Sequence, residues 1–473
     1  MAASSLVCAG CGAVPPPLVV EPWPFRCGRA PAAGDRDDVD HLVRRVLDPV
    51  QVTWPDVAEP NPFIRYRGLL HSCHLARERG MSDGDVVALV ERLDRAVGGV
   101  DGRGFAATPF VAHGALGAAM GLAAGRLWVK DETHNVSGSH KARHLMGVLM
   151  YLEVVDALGL GPSRAGPLAI ASCGNAALAA AVLARAAGRR LDVFVPTWAE
   201  APVVAALERL GARVALCARE PGVAGDPCYR RFQDAVRAGA VPFCCQGPDN
   251  GLTIEGGETI AWEMIDALGG RPIARLFVQV GGGALASACA QGFADAARLG
   301  RVARPPRLHA VQTRGGFPLA RAYDRLAREI AGSLELPVSI NDEPSARADA
   351  LLARAGDPIV DQALRHAATH RSAYMWPWET EPRSIAHSIL DDETYDWLAV
   401  CEGMIRTGGH PIVVDEDSLV RANTLARETT GIDVDHTGSA GLAALMQIVA
   451  GGADLGDETI ALLFTGVRRS PAR

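Results

Sequence analysis

Short, mainly apolar runs recur along most of the chain, at residues 127–130, 168–171, 191–195, 214–217, 276–280, 308–312 and 459–463. Such runs, lacking the strict alternation of a half-exposed strand, predict strands covered on both faces, as in a parallel sheet. Between most of them lie alanine-rich stretches of helical character, at 176–187, 203–210, 260–268 and 286–299. Strand and helix in alternation predict the α/β class with a mostly parallel sheet. Residues 1–104 read differently, as an extension. They open on a proline-rich segment, continue with an amphipathic stretch at 41–47 that predicts a short helix, and include a helix over 83–97 for which Ser82 is the N-cap. No internal repeat or low-complexity tract interrupts the pattern.

Composition narrows the class. A chain of 473 residues with 48% hydrophobic and 21% charged residues can bury a sizeable core and is not disordered as a whole. A net charge of −7 gives no pull toward nucleic acid or anionic lipid, so neither is expected as a partner. Residues 106–125 carry no formal charge, but they are mostly Ala and Gly with Pro109 and His113 among them, and no membrane span is expected. No basic residue precedes Arg26 and prolines occupy 15–17, so no signal peptide is readable and a cytoplasmic location is expected. Cysteines such as Cys173, Cys244, Cys245 and Cys289 sit among apolar neighbours and suit small buried hydrophobes in a reducing compartment. Cys8, Cys11 and Cys27 form three quarters of a zinc ribbon. A structural site needs four protein ligands, so the expectation is a degenerate ribbon and no metal.

One count carries more chemistry than the rest. Of the 47 basic residues, 45 are Arg and only Lys130 and Lys141 are Lys, both within one segment. Where Arg replaces Lys almost everywhere, a surviving Lys marks a place where the amine itself is needed, because a guanidinium neither deprotonates nor forms an imine.

Four segments gather around that idea. Ser137, Gly138, Ser139, His140, Lys141 and Arg143 make a turn leading into a helix, which places free backbone N–H groups and an amine together. Ser172, Gly174, Asn175 and Ala176 follow a predicted strand and precede a predicted helix, the position where an α/β sheet meets a small ligand. Gly281, Gly282, Gly283 and Ala284 do the same after another strand. No acidic residue stands at the dinucleotide spacing, so this loop suits a single phosphate. Thr465 closes the last strand with a neutral hydroxyl. An imine-forming amine, an amide beside a ring, a phosphate cradle and a hydroxyl for a ring nitrogen together describe pyridoxal 5'-phosphate.

These motifs resemble the threonine synthase family of fold-type II pyridoxal-phosphate enzymes. Further likenesses lie at Asn61 to Tyr66, Thr108 and Pro109, Glu255 and Gly256, Gln312, and Thr437 to Leu442. The resemblance implies two α/β lobes with mostly parallel sheets and the cofactor in the cleft between them. The larger lobe would comprise 105–145 and 246–473, and the smaller, mobile lobe 146–245. It further implies Lys141 at the Schiff-base position and as catalytic base. His140, Asn175, Gly281, Gly282, Gly283, Ala284 and Thr465 would contact the cofactor, and Ser137, Ser139, Ser172, Gly174, Ala176 and Arg143 a small amino-acid substrate. A homodimer is implied as well. The implied activity is a β,γ-elimination and replacement on O-phosphohomoserine or a related amino acid. His140 and Ala142 stand where the family usually has Phe and Asp, and Gly257 or Glu258 where it has Lys, which keeps open a dehydratase or β-replacement reaction on serine, threonine or an activated serine. A non-catalytic cofactor-binding subunit is the remaining alternative. Residues 341–400, with Tyr374, Trp376 and Trp378, match nothing in the family pattern, and packing is the expected role of those aromatics.

Overall fold

The computed structural model describes residues 2–17, 20–32, 35, 37–161, 166–219, 225–337 and 343–469. Its first strands, β1 (Ser4–Cys8) and β2 (Val43–Leu47), pair antiparallel. The other ten are β3 (Phe110–Ala112), β4 (Leu127–Asp131), β5 (Leu168–Ala171), β6 (Leu191–Pro196), β7 (Arg213–Cys217), β8 (Val241–Pro242), β9 (Arg275–Gln279), β10 (Arg307–Thr313), β11 (Ile412–Val414) and β12 (Ile460–Phe464). Six of them form a sheet in the order β11-β10-β9-β12-β4-β3, parallel except for β3, and four form a parallel sheet in the order β7-β6-β5-β8. The second sheet is built entirely from residues 168–242, so the chain leaves the larger sheet after β4 and returns to it at β9.

All seven sequence-predicted strands form within one residue of their expected bounds; six are largely buried as expected, whereas β7 lies at the edge of the smaller sheet and leaves Leu216 exposed. The strands not predicted, β1, β3, β8 and β11, are short or lie at sheet edges, where few apolar side chains are required. The expected helix at 41–47 is instead β2. Its burial alternates with period two: Val43, Arg45 and Leu47 point inward and Arg44 outward. Arg45 is buried because it enters the body of the protein and meets Glu255, Glu258 and Asp295, the last at 2.8 Å. A buried arginine on the inner face makes a strand look like an amphipathic helix in sequence. The predicted helix after Ser82 runs Asp83–Asp101, with Ser82 and Asp85 completing a capping box.

Helix Lys141–Ala157 is the centre of the molecule and is buried on nearly every face. It crosses helix Thr253–Ala267 at Gly147 and Gly256, where a Cβ on Gly147 would come within 2.9 Å of the Gly256 backbone. That crossing is too close for any larger residue, and it holds the start of the central helix between the two sheets. Residues 341–400 contribute helices Pro344–Leu352 and Pro358–Thr369, which pack on helices Pro318–Ser333 and Trp397–Thr407. Trp376 and Trp378 sandwich the Arg321 guanidinium at 4.4 and 4.5 Å, a packing role as expected. Among the described residues, no helix is long and apolar enough to cross a membrane.

Candidate active site

Lys141 is the first residue of the central helix and lies half-buried where β12 ends. The turn that delivers it is strained. Ser137 adopts φ +57°, a left-handed conformation costly for a residue with a side chain, and it is the kind of strain that active sites retain. The buried Oγ atoms of Ser137 and Ser139 find no hydrogen-bond partner among the described residues. Two orphaned hydroxyls beside an amine are what a polar ligand would satisfy.

Thr465 stands next to this turn. Its carbonyl accepts the His140 backbone N–H at 3.1 Å and the His140 ring Nδ1–H at 3.2 Å, and Gly466 bridges to Ser139. Burial, aided by the charge of Lys141, pushes His140 well below the usual histidine range, so the ring is neutral. The Thr465 hydroxyl accepts a 2.6 Å bond from the Gln279 side-chain amide, which is itself held near Gly438 O and Leu463 O. With its acceptor role taken up, the hydroxyl has its own hydrogen to donate.

Asn175 begins helix Asn175–Ala186, with Gly174 as its N-cap and Ala176 in its first turn. Its Nδ2 would clash with a Cβ on Gly466, which places it against the end of β12 and therefore near Thr465 and Ser139. Ser172 Oγ accepts the Gly174 N–H at 3.4 Å and shapes the same turn. Arg469, absent from the sequence expectations, donates to Asn175 Oδ1 at 3.0 Å and to Ser137 O at 2.7 Å, so it ties the two turns together. An arginine only a few residues from the end of the chain offers no motif by which to find it. A cavity of about 490 Å³ opens beside Arg469, Ser137 and Gly138, but neither Lys141 nor the glycine loop lines it, so it flanks the site rather than containing it.

Gly281, Gly282 and Gly283 join β9 to helix Ala284–Arg298, Gly283 at φ +100°, so that the loop turns onto the helix N-terminus. Residues 386–396, which the sequence left unassigned, lie across this loop. Thr394 Oγ1 donates to Gly281 O and the Asp396 N–H to Gly282 O, both at 2.9 Å. The Asp391 carboxylate accepts from the Gly282 amide and lies beside Gly281, where a Cβ would meet it at 2.4 Å. The Tyr395 ring covers Gly282. A carboxylate on the Gly282 amide stands in for an anionic group, and the glycine turn at a helix N-terminus fits a phosphate. Burial raises Asp391 to about 6 despite the opposing pull of Lys141, and raises Asp396 well above the usual carboxyl range. Acidic groups, not basic ones, therefore face Lys141 from this side.

One expected site residue does not belong. Arg143 is fully buried, and its guanidinium is spent on Glu132, Glu263, Thr259 and Thr108 at 2.6 to 3.1 Å. It has no donor to offer a substrate. Two residues after Lys141, and so on the opposite side of the helix, it points into a network that also holds Lys130, whose Nζ bonds to Thr108 O at 2.8 Å and pairs with Glu263. Burial would push Glu263 up, but Arg143 and Lys130 outweigh it and hold the carboxyl below its usual value. Gly257 and Glu258 also face elsewhere, Gly257 against the His144 ring and Glu258 toward Arg45.

A family model described as "Pyridoxal-phosphate dependent enzyme" matches residues 103–466. The chain belongs to this family. Its cofactor is accordingly pyridoxal 5'-phosphate, and the amine, the orphaned serine hydroxyls, the glycine cradle and the donor hydroxyl of Thr465 fit that group. The threonine synthase of Methanocaldococcus jannaschii is 25% identical over 345 residues, covering 72% of this chain and 69% of that protein. That of Mycobacterium leprae is 23% identical over 364 residues, covering 76% and 80%. Among solved structures, maize serine racemase superposes with a TM-score of 0.53 at 18% identity, over 80% of this chain and 94% of that one. The processed form of threonine deaminase isoform 2 from Solanum lycopersicum gives 0.54 at 16% identity, over 82% and 91%. These likenesses establish the fold-type II architecture, with two mostly parallel sheets.

Proposed function

We propose that the protein is a pyridoxal-phosphate-dependent lyase that eliminates, or eliminates and replaces, the β- or γ-substituent of a small amino acid. The observation that carries this reading is Lys141: one of two lysines in the chain, at a helix start, beside two unsatisfied serine hydroxyls and a neutral hydroxyl donor. Bound pyridoxal phosphate supplies an electron sink for the charge left at the substrate α-carbon. Lys141 Nζ would hold the cofactor and would serve as the base for the substrate's α-proton. Thr465 would donate its hydrogen to the ring nitrogen without requiring that nitrogen to be protonated. The amides of Gly281, Gly282, Gly283 and Ala284 would receive the phosphate. Asn175 would meet the ring's 3-oxygen. Ser172, Gly174 and Ala176, at a helix N-terminus, receive the substrate carboxylate, with Ser137 and Ser139 on the opposite turn.

Likeness to threonine synthases supports O-phosphohomoserine as substrate. A second reading is favoured by Asp391, an acidic group close enough to Lys141 to feel its charge and ionised at neutral pH. It opposes a doubly anionic leaving group and favours serine, threonine or an activated serine, in a dehydratase or β-replacement reaction. Release of phosphate from O-phosphohomoserine, against release of ammonia and a keto acid from serine or threonine, separates the two. For either substrate, Lys141→Ala is expected to lose the absorbance of the lysine-bound cofactor and to slow turnover by about a thousand-fold or more. Near-normal turnover in that variant would end the proposal.

A further inference from the structure

The three cysteines of the apparent half-ribbon acquire a fourth partner in the fold. Cys8, Cys11, Cys27 and His41 bring one ligand atom each within 4.8 Å of all the others. Cys11 Sγ and Cys27 Sγ are 3.5 Å apart, and Cys8 Sγ is 3.6 Å from His41 Nδ1. Edges near these lengths are those of a tetrahedron with bonds of about 2.3 Å to sulfur and about 2.0 Å to nitrogen. The expectation that the fourth ligand is missing is thus corrected. His41 comes from the start of the segment read as a helix, fourteen residues past Cys27, and reaches the thiols because β2 runs antiparallel to β1 and closes the loop.

We propose that these four side chains bind one zinc ion in a closed structural site. Independent features of the surroundings agree. The His41 Nε2 faces Asp37 Oδ2 at 3.1 Å, which fixes the proton on Nε2 and leaves the Nδ1 lone pair toward the thiols, the carboxylate–histidine arrangement of metal sites. Backbone N–H groups already point at sulfur, Cys11 N to Cys8 Sγ at 3.5 Å and Arg29 N to Cys27 Sγ at 3.4 Å. Gly12, at φ +69°, sends its N–H to Cys8 O at 2.9 Å and turns the chain back through a knuckle. All eleven cysteines are free thiols, and the His41 side chain is only 8% exposed. Three thiols and an imidazole select zinc over harder divalent ions. On binding, the thiols release their protons to solvent and no oxidant or reductant is involved. With four protein ligands no position is open to water, which makes the ion a staple and not a reagent.

What it staples is the N-terminal segment to the catalytic body. Between the knuckle and Cys27, Phe25 O accepts the Gly251 N–H at 2.9 Å and Pro22 O accepts the Tyr151 hydroxyl at 3.1 Å. Beyond His41, β2 carries Arg45 to its three acidic partners. The inference does not depend on the reading of Lys141.

Metal analysis of the full-length protein, purified without chelator from zinc-supplemented cells, is expected to find about one zinc per chain. Cobalt(II) substituted for it should show the visible absorption of a tetrahedral thiolate site. Cys11→Ala and His41→Ala should each lower zinc affinity by about a hundred-fold or more, while Lys141→Ala keeps its zinc. Cofactor absorbance in the first two variants reports whether the body remains folded. Wild-type protein that holds no zinc and gives no thiolate–cobalt spectrum would overturn the proposal, as would a Cys11–Cys27 disulfide in freshly isolated protein or zinc retained by the Cys11→Ala, His41→Ala double variant.

Discussion

At the scale of single residues, the site separates side chains that touch ligands from those that hold the frame. Arg143 stands two residues after Lys141, yet it neutralises two buried carboxylates, Glu132 and Glu263. Arg143→Met should therefore cost about 3–5 kcal/mol in urea unfolding, the usual result of breaking a buried pair from one side. Lysine at the same position should not restore stability, since it cannot span both carboxylates. Asp391 makes the opposite kind of prediction. Its carboxyl ordinarily titrates near 3.8 and is raised to about 6, so the folded chain keeps a proton that the unfolded chain has released. The folded protein therefore loses stability as pH rises from about 4 to about 6, and the loss is complete above that range. Asp391→Asn should flatten this slope in urea midpoints measured across the window. It should also bind pyridoxal phosphate several-fold more tightly at neutral pH, because no ionised carboxylate then competes for the Gly282 amide.

At the scale of elements, local signals and tertiary ones can be told apart. Ser82 caps its helix through contacts with Asp85 alone, so Ser82→Ala should cost about 1 kcal/mol and leave cofactor absorbance unchanged. That helix was legible in sequence because its start signal is contained in four residues. The seven strands expected from sequence were legible for a similar reason, each carrying its own apolar run. Lys141, Asn175, the three glycines and Thr465 were legible because strand-to-helix turns leave polar or glycine residues in apolar surroundings. Other features depend on residues far apart. The strand character of β2 rests on Arg45 meeting acids more than two hundred positions away. Helix Thr253–Ala267 begins seven residues before its apolar stretch, because Glu255 and Glu258 are buried by pairing with Arg45 and not by hydrophobicity. The segment over the glycine loop has neither an apolar period nor a cap, only the acidic run Asp391, Asp392, Glu393, whose meaning lies in the amides it covers.

At the scale of the whole molecule, a cleft that holds an orphaned pair of hydroxyls and a self-capped phosphate cradle should gain stability when filled. Pyridoxal phosphate at about a hundred times its dissociation constant should stabilise the fold by about 2.7 kcal/mol, readable as a rise in melting temperature, and Lys141→Ala should show less of it. The connection of β2 to the catalytic body has a further consequence, for how the chain is made. During translation Arg45 leaves the ribosome long before Glu258 and Asp295, its partners 213 and 250 positions later. At about 5–20 residues per second, that interval lasts about 10–50 seconds. For all of that time Arg45 lacks the acidic partners that hold β2 in place, and two strands alone are marginal in water, so the pairing of β1 with β2 stays unfinished. A segment synthesised well before its partners is thus among the last to reach its final place.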